Sequence, residues 1–139
     1  MLQNKTIILT GAGRGIGQVS AVNLAKEGAT IALLSRTVEE LEETAELIRQ
    51  YDSNSLIIPV DISDPEQLEI AFQRIKNRFY QIDILINNAG IQPPIGRFHE
   101  NNTREWIRNI RINLLGTIHL THLVLPEMID RRKGKIINM

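Results

Sequence analysis

The feature that most constrains the fold is a glycine-rich segment, Thr10-Gly11-Ala12-Gly13-Arg14-Gly15-Ile16-Gly17, which lies between two apolar stretches. The run before it, residues 6–10, is short and rich in β-branched side chains, as expected of a buried parallel strand. From Gln18 to Glu27, apolar residues recur at helical spacing, at Val19, Val22 and Leu24-Ala25, which predicts a helix. A glycine turn from strand to helix lets backbone N–H groups approach a phosphate at the positive end of the helix dipole.

Three glycines of this segment have different predicted roles. Gly11 permits the tight turn, Gly15 keeps a Cβ out of the path of the phosphate, and Gly17 lets helix and strand pack closely. The spacing G-x-x-x-G-x-G does not match the dinucleotide fingerprint G-x-G-x-x-G, and no Gly-Lys-Ser/Thr ending indicates a nucleoside-triphosphate loop. An ordinary turn without a ligand is the alternative interpretation, but the flanking strand and helix favour a phosphate site.

Predicted strands alternate with predicted helices along the whole chain. Further strands are expected at 30–35, 56–60, 82–87 and 135–139, and further helices begin at a Thr37–Glu40 capping box, at 63–66 and at about Thr103, the last running to Asp130. This order predicts an α/β fold: a doubly wound parallel sheet of the Rossmann type, incomplete, with about five strands and helices on both faces. Ligands bind such sheets at the carboxyl ends of the strands, where the motifs discussed below are expected.

Composition restricts the partners and the compartment. The chain has 139 residues, enough for one domain at most. Its 16 basic and 16 acidic residues cancel, which argues against a nucleic-acid partner and against an anionic membrane surface. There is no apolar run close to the ~20 residues of a membrane span, no signal-peptide pattern and no cysteine. We therefore expect a cytoplasmic protein without a membrane partner, and the three scattered histidines predict no metal site.

The end of the second strand bears on which nucleotide is bound. NAD sites usually carry an acid there, bonded to the ribose 2′-hydroxyl, but Leu34-Ser35-Arg36-Thr37 is followed by no carboxylate until Glu39. Arg36 can instead bind a 2′-phosphate, and Arg14 can reach the same group. Either arginine alone is more often a solvated surface charge. Together, with Ser35 in the same turn and the acid missing, they favour NADP over NAD.

Motifs after the third and fourth strands and in the last helix extend the predicted site. Asp61 and Ile62 are placed to bond an adenine amino group and to contact its ring, although an aspartate there is also a common turn residue. Asn88, Ala89 and Gly90, in the sequence Asn87-Asn88-Ala89-Gly90, are expected beside the ribose, or they form an ordinary Asn-rich turn. Asn113 interrupts an apolar helical stretch, either as an exposed polar position or as the anchor of an active-site water.

Together these motifs resemble the short-chain dehydrogenase/reductase family, in its single-domain branch that includes the 3-oxoacyl-carrier-protein reductases. The family pattern T-G-x-x-x-G-x-G matches residues 10–17, N-N-A-G matches residues 87–90, and the acid after the third strand matches Asp61. The catalytic helix asparagine of the family is similar to Asn113. The resemblance implies an NADP-dependent oxidoreductase that reduces a small carbonyl compound or oxidises a secondary alcohol.

One part of the family pattern is not found. Family members use a serine just past the fifth strand, and a tyrosine and lysine spaced Y-x-x-x-K on the next helix, for proton transfer. Tyr51 and Tyr80 lie too far upstream, and neither has a lysine four residues later. Residues 1–139 are thus expected to form the N-terminal, NADP-binding Rossmann portion of such a domain, C-terminally truncated, without the catalytic Ser/Tyr/Lys segment and inactive alone. A truncated reading frame, a partial gene model and an excised fragment all agree with this expectation.

The alternative is a non-catalytic NADP-binding or subunit-interaction module. The long helix over residues 103–130 resembles the helices through which members of this family dimerise, and it predicts a homo-oligomer. Its apolar residues include Trp106, Ile110, Leu114, Leu123 and Val124. Left partly uncovered, such a surface favours association.

Overall fold

A computed structural model describes residues 2–51 and 53–139, and in this part of the chain five parallel strands are covered by helices. The strands are β1 (Thr6–Thr10), β2 (Thr30–Ser35), β3 (Ser55–Pro59), β4 (Ile84–Asn87) and β5 (Lys135–Asn138). The helices are α1 (Gly15–Lys26), α2 (Val38–Arg49), α3 (Pro65–Arg78), α4 (Thr103–Ile110) and α5 (Thr117–Asp130), with a 3-10 turn at Phe98–Glu100 and a π-helical segment at Arg111–Gly116. The predicted doubly wound fold is confirmed.

The strand order places a crevice at the carboxyl ends of the inner strands β1 and β4. The order is β3-β2-β1-β4-β5, so the chain first winds away from β1 in one direction and then returns to continue on its other side. In register, Ile8 of the central strand lies between Ala32 of β2 and Leu85 of β4. The point where the winding reverses, between β1 and β4, is where open parallel sheets bind ligands, at the carboxyl ends of the strands.

Each face of the sheet has its own core, because successive side chains of a strand point to opposite faces. Ile7 and Leu9 of β1 pack with α1 and α2, whereas Ile8 packs with the opposite cluster, which includes residues of α3 and α5. The spacing of Leu41, Ala45 and Ile48 in the sequence predicts one apolar face for α2, and all three residues are buried.

Helix α1, which the apolar spacing predicts, packs through small residues. Its buried positions are Gly17, Ala21 and Ala25, spaced four residues apart, whereas Val19 is 60% exposed. Small side chains let the helix axis approach the sheet closely, so the larger apolar residues are displaced to its flanks. The periodicity of large apolar residues therefore indicated the helix but not the face that it buries.

The long helix predicted over 103–130 is interrupted by the π-helical segment Arg111–Gly116. A Cβ at Gly116 would lie only 2.6 Å from the Ile62 carbonyl oxygen, so the helix touches the backbone that follows β3 at this point. π-helical turns are frequent at functional sites. Val124, expected at an uncovered surface, is fully buried, whereas Ile110 and Leu114 are exposed as expected.

Length and composition would allow this same helical run, Thr103–Asp130, to cross a membrane. The expectation that the chain has no stretch of such length and apolar character is therefore wrong. Core helices that pack on a sheet can be equally long and apolar, and Leu120, Val124 and Met128 of this run lie in the core. The absence of a membrane partner stays a prediction.

At the amino ends of the strands, Asp83 links β1 to β4. Its carboxylate accepts hydrogen bonds from the Thr6 N–H at 3.1 Å and from the Lys5 ammonium at 3.3 Å, and the side chain is 4% exposed. Burial works against the charged form of this carboxylate, but the bonds from Thr6 and Lys5 outweigh that effect and lower the pKa of Asp83.

Replacing Asp83 with asparagine is expected to lower the free energy of unfolding at neutral pH by about 2 kcal/mol. Because the pKa is lower in the folded chain than in the unfolded one, the carboxylate contributes its full stability above about pH 4, the ordinary aspartate value, and loses it as pH falls through the folded value. Urea unfolding at several pH values should therefore show that the free energy of unfolding decreases less on acidification for Asp83→Asn than for the unchanged chain. Glu46→Gln, at an exposed carboxylate, serves as the control and should leave both quantities unchanged.

Candidate functional site

A cavity of about 430 Å³ lies at the carboxyl ends of the strands, around the point where the winding reverses. It is bounded by the glycine segment, by the turn after β2, by the residues after β3 and by the turn after β4. The lining residues are Gly11, Gly13, Arg14, Gly15, Ile16, Gly17, Leu34, Ser35, Arg36, Thr37, Glu40, Val60, Asp61, Ile62, Asn88, Ala89, Gly90, Ile91 and Ile112. Four separate predicted motifs thus meet around a single cavity.

The glycine segment takes the shape that its sequence predicts. Gly11 has φ +64°, in the left-handed region that favours glycine, so the chain turns sharply after β1. A Cβ at Gly17 would lie 2.0 Å from the Gly11 carbonyl oxygen, which explains why the first turn of α1 can close against the end of β1. A Cβ at Gly15 would meet nothing within 4 Å, so the space beside it is open.

The N-terminus of α1 faces this cavity. Helix α1 begins at Gly15, and its N-cap residue Arg14 is extended and, in the described part of the chain, makes no side-chain cap bond. The first N–H groups of a helix lack intrahelical partners and carry the positive end of its dipole. An anionic group in the cavity would therefore find uncapped backbone donors.

Thr10 and Ala12 support the cavity from behind and do not line it. The Thr10 hydroxyl accepts hydrogen bonds from the Asn88 N–H at 3.0 Å and the Ala89 N–H at 2.9 Å. In return, the Asn88 side-chain amide donates to the carbonyl of Thr10 at 2.9 Å and to that of Gly11 at 3.2 Å. Ala12 is fully buried, and its N–H donates to the Leu34 carbonyl. Their contacts fix the glycine segment to β2 and β4, and the prediction that both residues bind a cofactor is not tested by these contacts.

Both predicted arginines line the cavity, together with a carboxylate that the sequence interpretation missed. The Arg14 side chain is 83% exposed, and its Nε lies 3.9 Å from Oε1 of Glu40. Arg36 is exposed at the turn after β2, beside the half-buried Ser35. The sequence predicts only a capping-box role for Glu40, and that prediction is wrong in the described residues, where the Thr37 N-cap makes no side-chain cap bond.

Asp61 takes part in a turn and also lines the cavity, and its bond to an adenine amino group stays a prediction. Its Oδ1 accepts from the Ser63 N–H at 2.9 Å and from the Ser63 hydroxyl at 2.7 Å. Its neighbour Ile62 is 8% exposed and packs in the core while bordering the cavity. Turn formation therefore orients the carboxylate at the cavity wall.

Asn113 lies at a second cavity of about 360 Å³, which shares residues 88–91 with the first and extends toward β5. Its Oδ1 accepts from the Ile91 N–H at 2.8 Å, and its Nδ2 donates to the Ile91 carbonyl at 2.8 Å and to Asn109 Oδ1 at 3.1 Å. The side chain thus joins the π-helical segment to the loop after β4. Its proposed contact with an active-site water stays a prediction.

The other cavity-lining residues that sequence reasoning missed are mainly apolar. They are Leu34, Thr37, Val60, Ile91 and Ile112. No local motif identifies them, because each reaches the cavity through the tertiary fold. Neither Tyr51 nor Tyr80 lines either cavity, and no cluster of potential metal ligands occurs among the residues that the structure describes.

A parallel sheet wound in both directions from β1, with a glycine turn and an uncapped helix N-terminus at its crevice, defines a Rossmann-type α/β protein. The model of the family described as short chain dehydrogenase matches residues 5–139. The chain belongs to this family.

Individual relatives cover nearly the whole chain but extend well beyond it. The ketoacyl reductase HetN of Nostoc sp. is 38% identical over 138 residues, which are 99% of this chain and 48% of that protein. NAD+-bound xylitol dehydrogenase has a TM-score of 0.94 at 31% identity, covering 99% of this chain and 53% of that one. A metagenomic short-chain oxidoreductase in complex with NADP has a TM-score of 0.94 at 30% identity, covering 99% and 62%. The chain therefore spans about half the length of the curated relatives it matches.

Proposed function

We propose that this chain is the cofactor-binding portion, residues 1–139, of an NADP-dependent oxidoreductase that reduces a small carbonyl compound or oxidises a secondary alcohol. The observation that carries the proposal is the arrangement of Arg14 and Arg36 at one cavity with the glycine segment. Guanidinium groups bind phosphate oxygens in pairs of parallel hydrogen bonds, so two of them at the adenosine end favour a 2′-phosphate. Solved structures of family members with either NAD or NADP support nucleotide binding without distinguishing the two.

Each wall of the cavity has a proposed task. Residues 11–17 and the N-terminus of α1 hold the pyrophosphate, because they offer backbone N–H donors and leave space beside Gly15. Asp61 and Ile62 bind the adenine. Residues 88–90 border the ribose, held in place through Thr10. The bound dinucleotide supplies hydride transfer, and the protein supplies orientation and protons.

Proton transfer is the part of the chemistry that these residues do not supply. Asn113 is the proposed catalytic residue, at the cavity that adjoins the cofactor cleft, and its side-chain groups already bond Ile91 and Asn109. Tyr51 and Tyr80 are not placed to act as acid or base at either cavity. Without general acid–base help, worth about 10²- to 10⁴-fold, the 139-residue chain alone is proposed to be inactive.

Titration of the 139-residue chain with NADPH and NADH tests this proposal. NADPH is expected to bind at one site, about tenfold more tightly than NADH, because two guanidinium groups face the additional phosphate. Calorimetry gives both dissociation constants, and absorbance at the nicotinamide band should show no oxidation of NADPH by a panel of carbonyl compounds. A folded sample that binds neither nucleotide would contradict the proposal.

A second candidate function, a non-catalytic NADP-binding or subunit-interaction module, is favoured by the exposed apolar side chains of the helical run 103–130. Ile107, Ile110, Leu114, Leu115, Ile118 and Ile129 are each about half exposed or more. Such a surface favours pairing with another copy of the chain or with a longer relative. Sedimentation of the chain with and without NADPH distinguishes a nucleotide-dependent oligomer from a monomer. The cytoplasmic compartment and the absence of nucleic-acid partners remain predictions.

A further inference from the structure

The carboxylate of Glu40 projects into a space that Gly13 leaves free. A Cβ at Gly13 would lie 2.8 Å from the Glu40 Cβ and 2.9 Å from its Oε2, so the glutamate side chain lies directly against the glycine segment. The Glu40 side chain is 31% exposed and lines the same cavity as Arg14 and Arg36. Any larger residue at position 13 would displace it.

Buried hydrogen bonds fix the backbone that carries this carboxylate. The hydroxyl of Thr44, which is fully buried, lies 3.0 Å from the Glu40 carbonyl oxygen and 3.1 and 3.3 Å from those of Ala12 and Gly13. The Gln18 side-chain amide reaches both Thr44 and Gly13. The first turn of α2 and the glycine segment are therefore held as one unit, and Glu40 keeps its place at the cavity.

A carboxylate at this position acts oppositely on the two dinucleotides. It can accept hydrogen bonds from a ribose diol, as the acid at the end of the second strand does in NAD sites. Toward a 2′-phosphate it is repulsive, and it also competes with the phosphate for Arg14, whose Nε lies 3.9 Å from Oε1. The cavity thus holds both a cationic pair that favours NADP and an anion that disfavours it.

We propose that Glu40 is a cofactor-specificity residue, which weakens binding of the 2′-phosphorylated dinucleotide and preserves measurable affinity for NAD. This inference rests on the proposed function, because it assumes that the cavity binds a dinucleotide.

The test compares Glu40→Gln with Glu39→Gln, its exposed neighbour on the same helical turn, which does not line the cavity. Dissociation constants for NADPH and NADH are measured on the 139-residue chain by calorimetry. Glu40→Gln is expected to tighten NADPH binding and weaken NADH binding, changing their ratio by about tenfold. Glu39→Gln should change the ratio by less than about twofold. Glu40→Ala gives the same comparison if the glutamine variant does not fold.

The possible outcomes separate this inference from the function on which it rests. If both nucleotides bind and the ratio is the same in Glu40→Gln as in the unchanged chain, the specificity role is wrong while the proposed function stands. If the folded, unchanged chain binds neither nucleotide, the proposed function is wrong and the inference falls with it. If the ratio of the two dissociation constants shifts in favour of NADPH only in the variants of residue 40, the result supports the specificity role of Glu40 and the proposed function.

Discussion

Replacing Gly17 with alanine is expected to lower the free energy of unfolding by about 3 kcal/mol, at the upper end of what overpacking usually costs. The added methyl group would lie 2.0 Å from the carbonyl oxygen of Gly11 and 2.8 Å from the Asn88 side-chain amide. One obstacle is backbone, so the helix and the strand must move apart to admit the methyl group. Urea unfolding measures the stability. Titration with NADPH should show no binding, because the glycine segment can no longer keep its shape.

Gly15→Ala is the matched variant within the same segment. Its methyl group would meet nothing within 4 Å, so the cost to stability is limited to the positive φ of +56°, about 1 kcal/mol. NADPH binding should nevertheless weaken strongly, because the methyl group enters the space proposed for the pyrophosphate. Equal losses of stability in the two variants would contradict the close contact at Gly17, and unchanged binding in Gly15→Ala would contradict the phosphate site.

Removing both Arg14 and Arg36 should convert the preference for NADPH into a preference for NADH. The double alanine variant is expected to weaken NADPH binding by about 100-fold, the value of one or two charge-assisted hydrogen bonds, and to leave NADH binding within about threefold. Both side chains are exposed, so stability should change little. Calorimetry with the two nucleotides provides the measurement.

Arg49→Ala is the control for this loss of positive charge. Arg49 is exposed at the end of α2, forms an ion pair with Glu46 and does not line the cavity. Its replacement should change neither the dissociation constant for NADPH nor that for NADH. If the double variant loses affinity for NADPH and NADH by the same factor, the arginines contribute general electrostatic attraction and do not bind the 2′-phosphate specifically.

The sheet could be predicted from the sequence because its signals are local. The run of residues 6–10 is apolar at its centre and β-branched at its ends, and helical segments separate each strand from the next, so the parallel winding follows from connection rules. Residues after the strands could be assigned to one site for the same reason, since parallel strands bring their carboxyl ends to one edge. Thirteen of the 15 predicted cofactor-binding residues line the cavity, Thr10 and Ala12 being the exceptions.

What the sequence did not reveal depends on contacts between distant segments. Glu40 has the spacing of a capping box, and only the packing of α2 against Gly13 turns its carboxylate toward the cavity. The face of α1 that is buried depends on close packing against the sheet, which places Ala21 in the core and leaves the larger Val19 exposed. The π-helical segment has no recognised residue pattern, and it ends at Gly116, which lies against the Ile62 backbone.

The wider helical turn at Arg111–Gly116 sets the rotational phase between α4 and α5. Hydrogen bonds in such a turn run from residue i to residue i+5, so it holds one residue more than an α-helical turn. Deleting one residue of this segment is therefore expected to restore an α-helical turn. Leu120, Val124 and Met128 would then keep their places in the core, whereas the contacts of Asn113 with Ile91 would be lost.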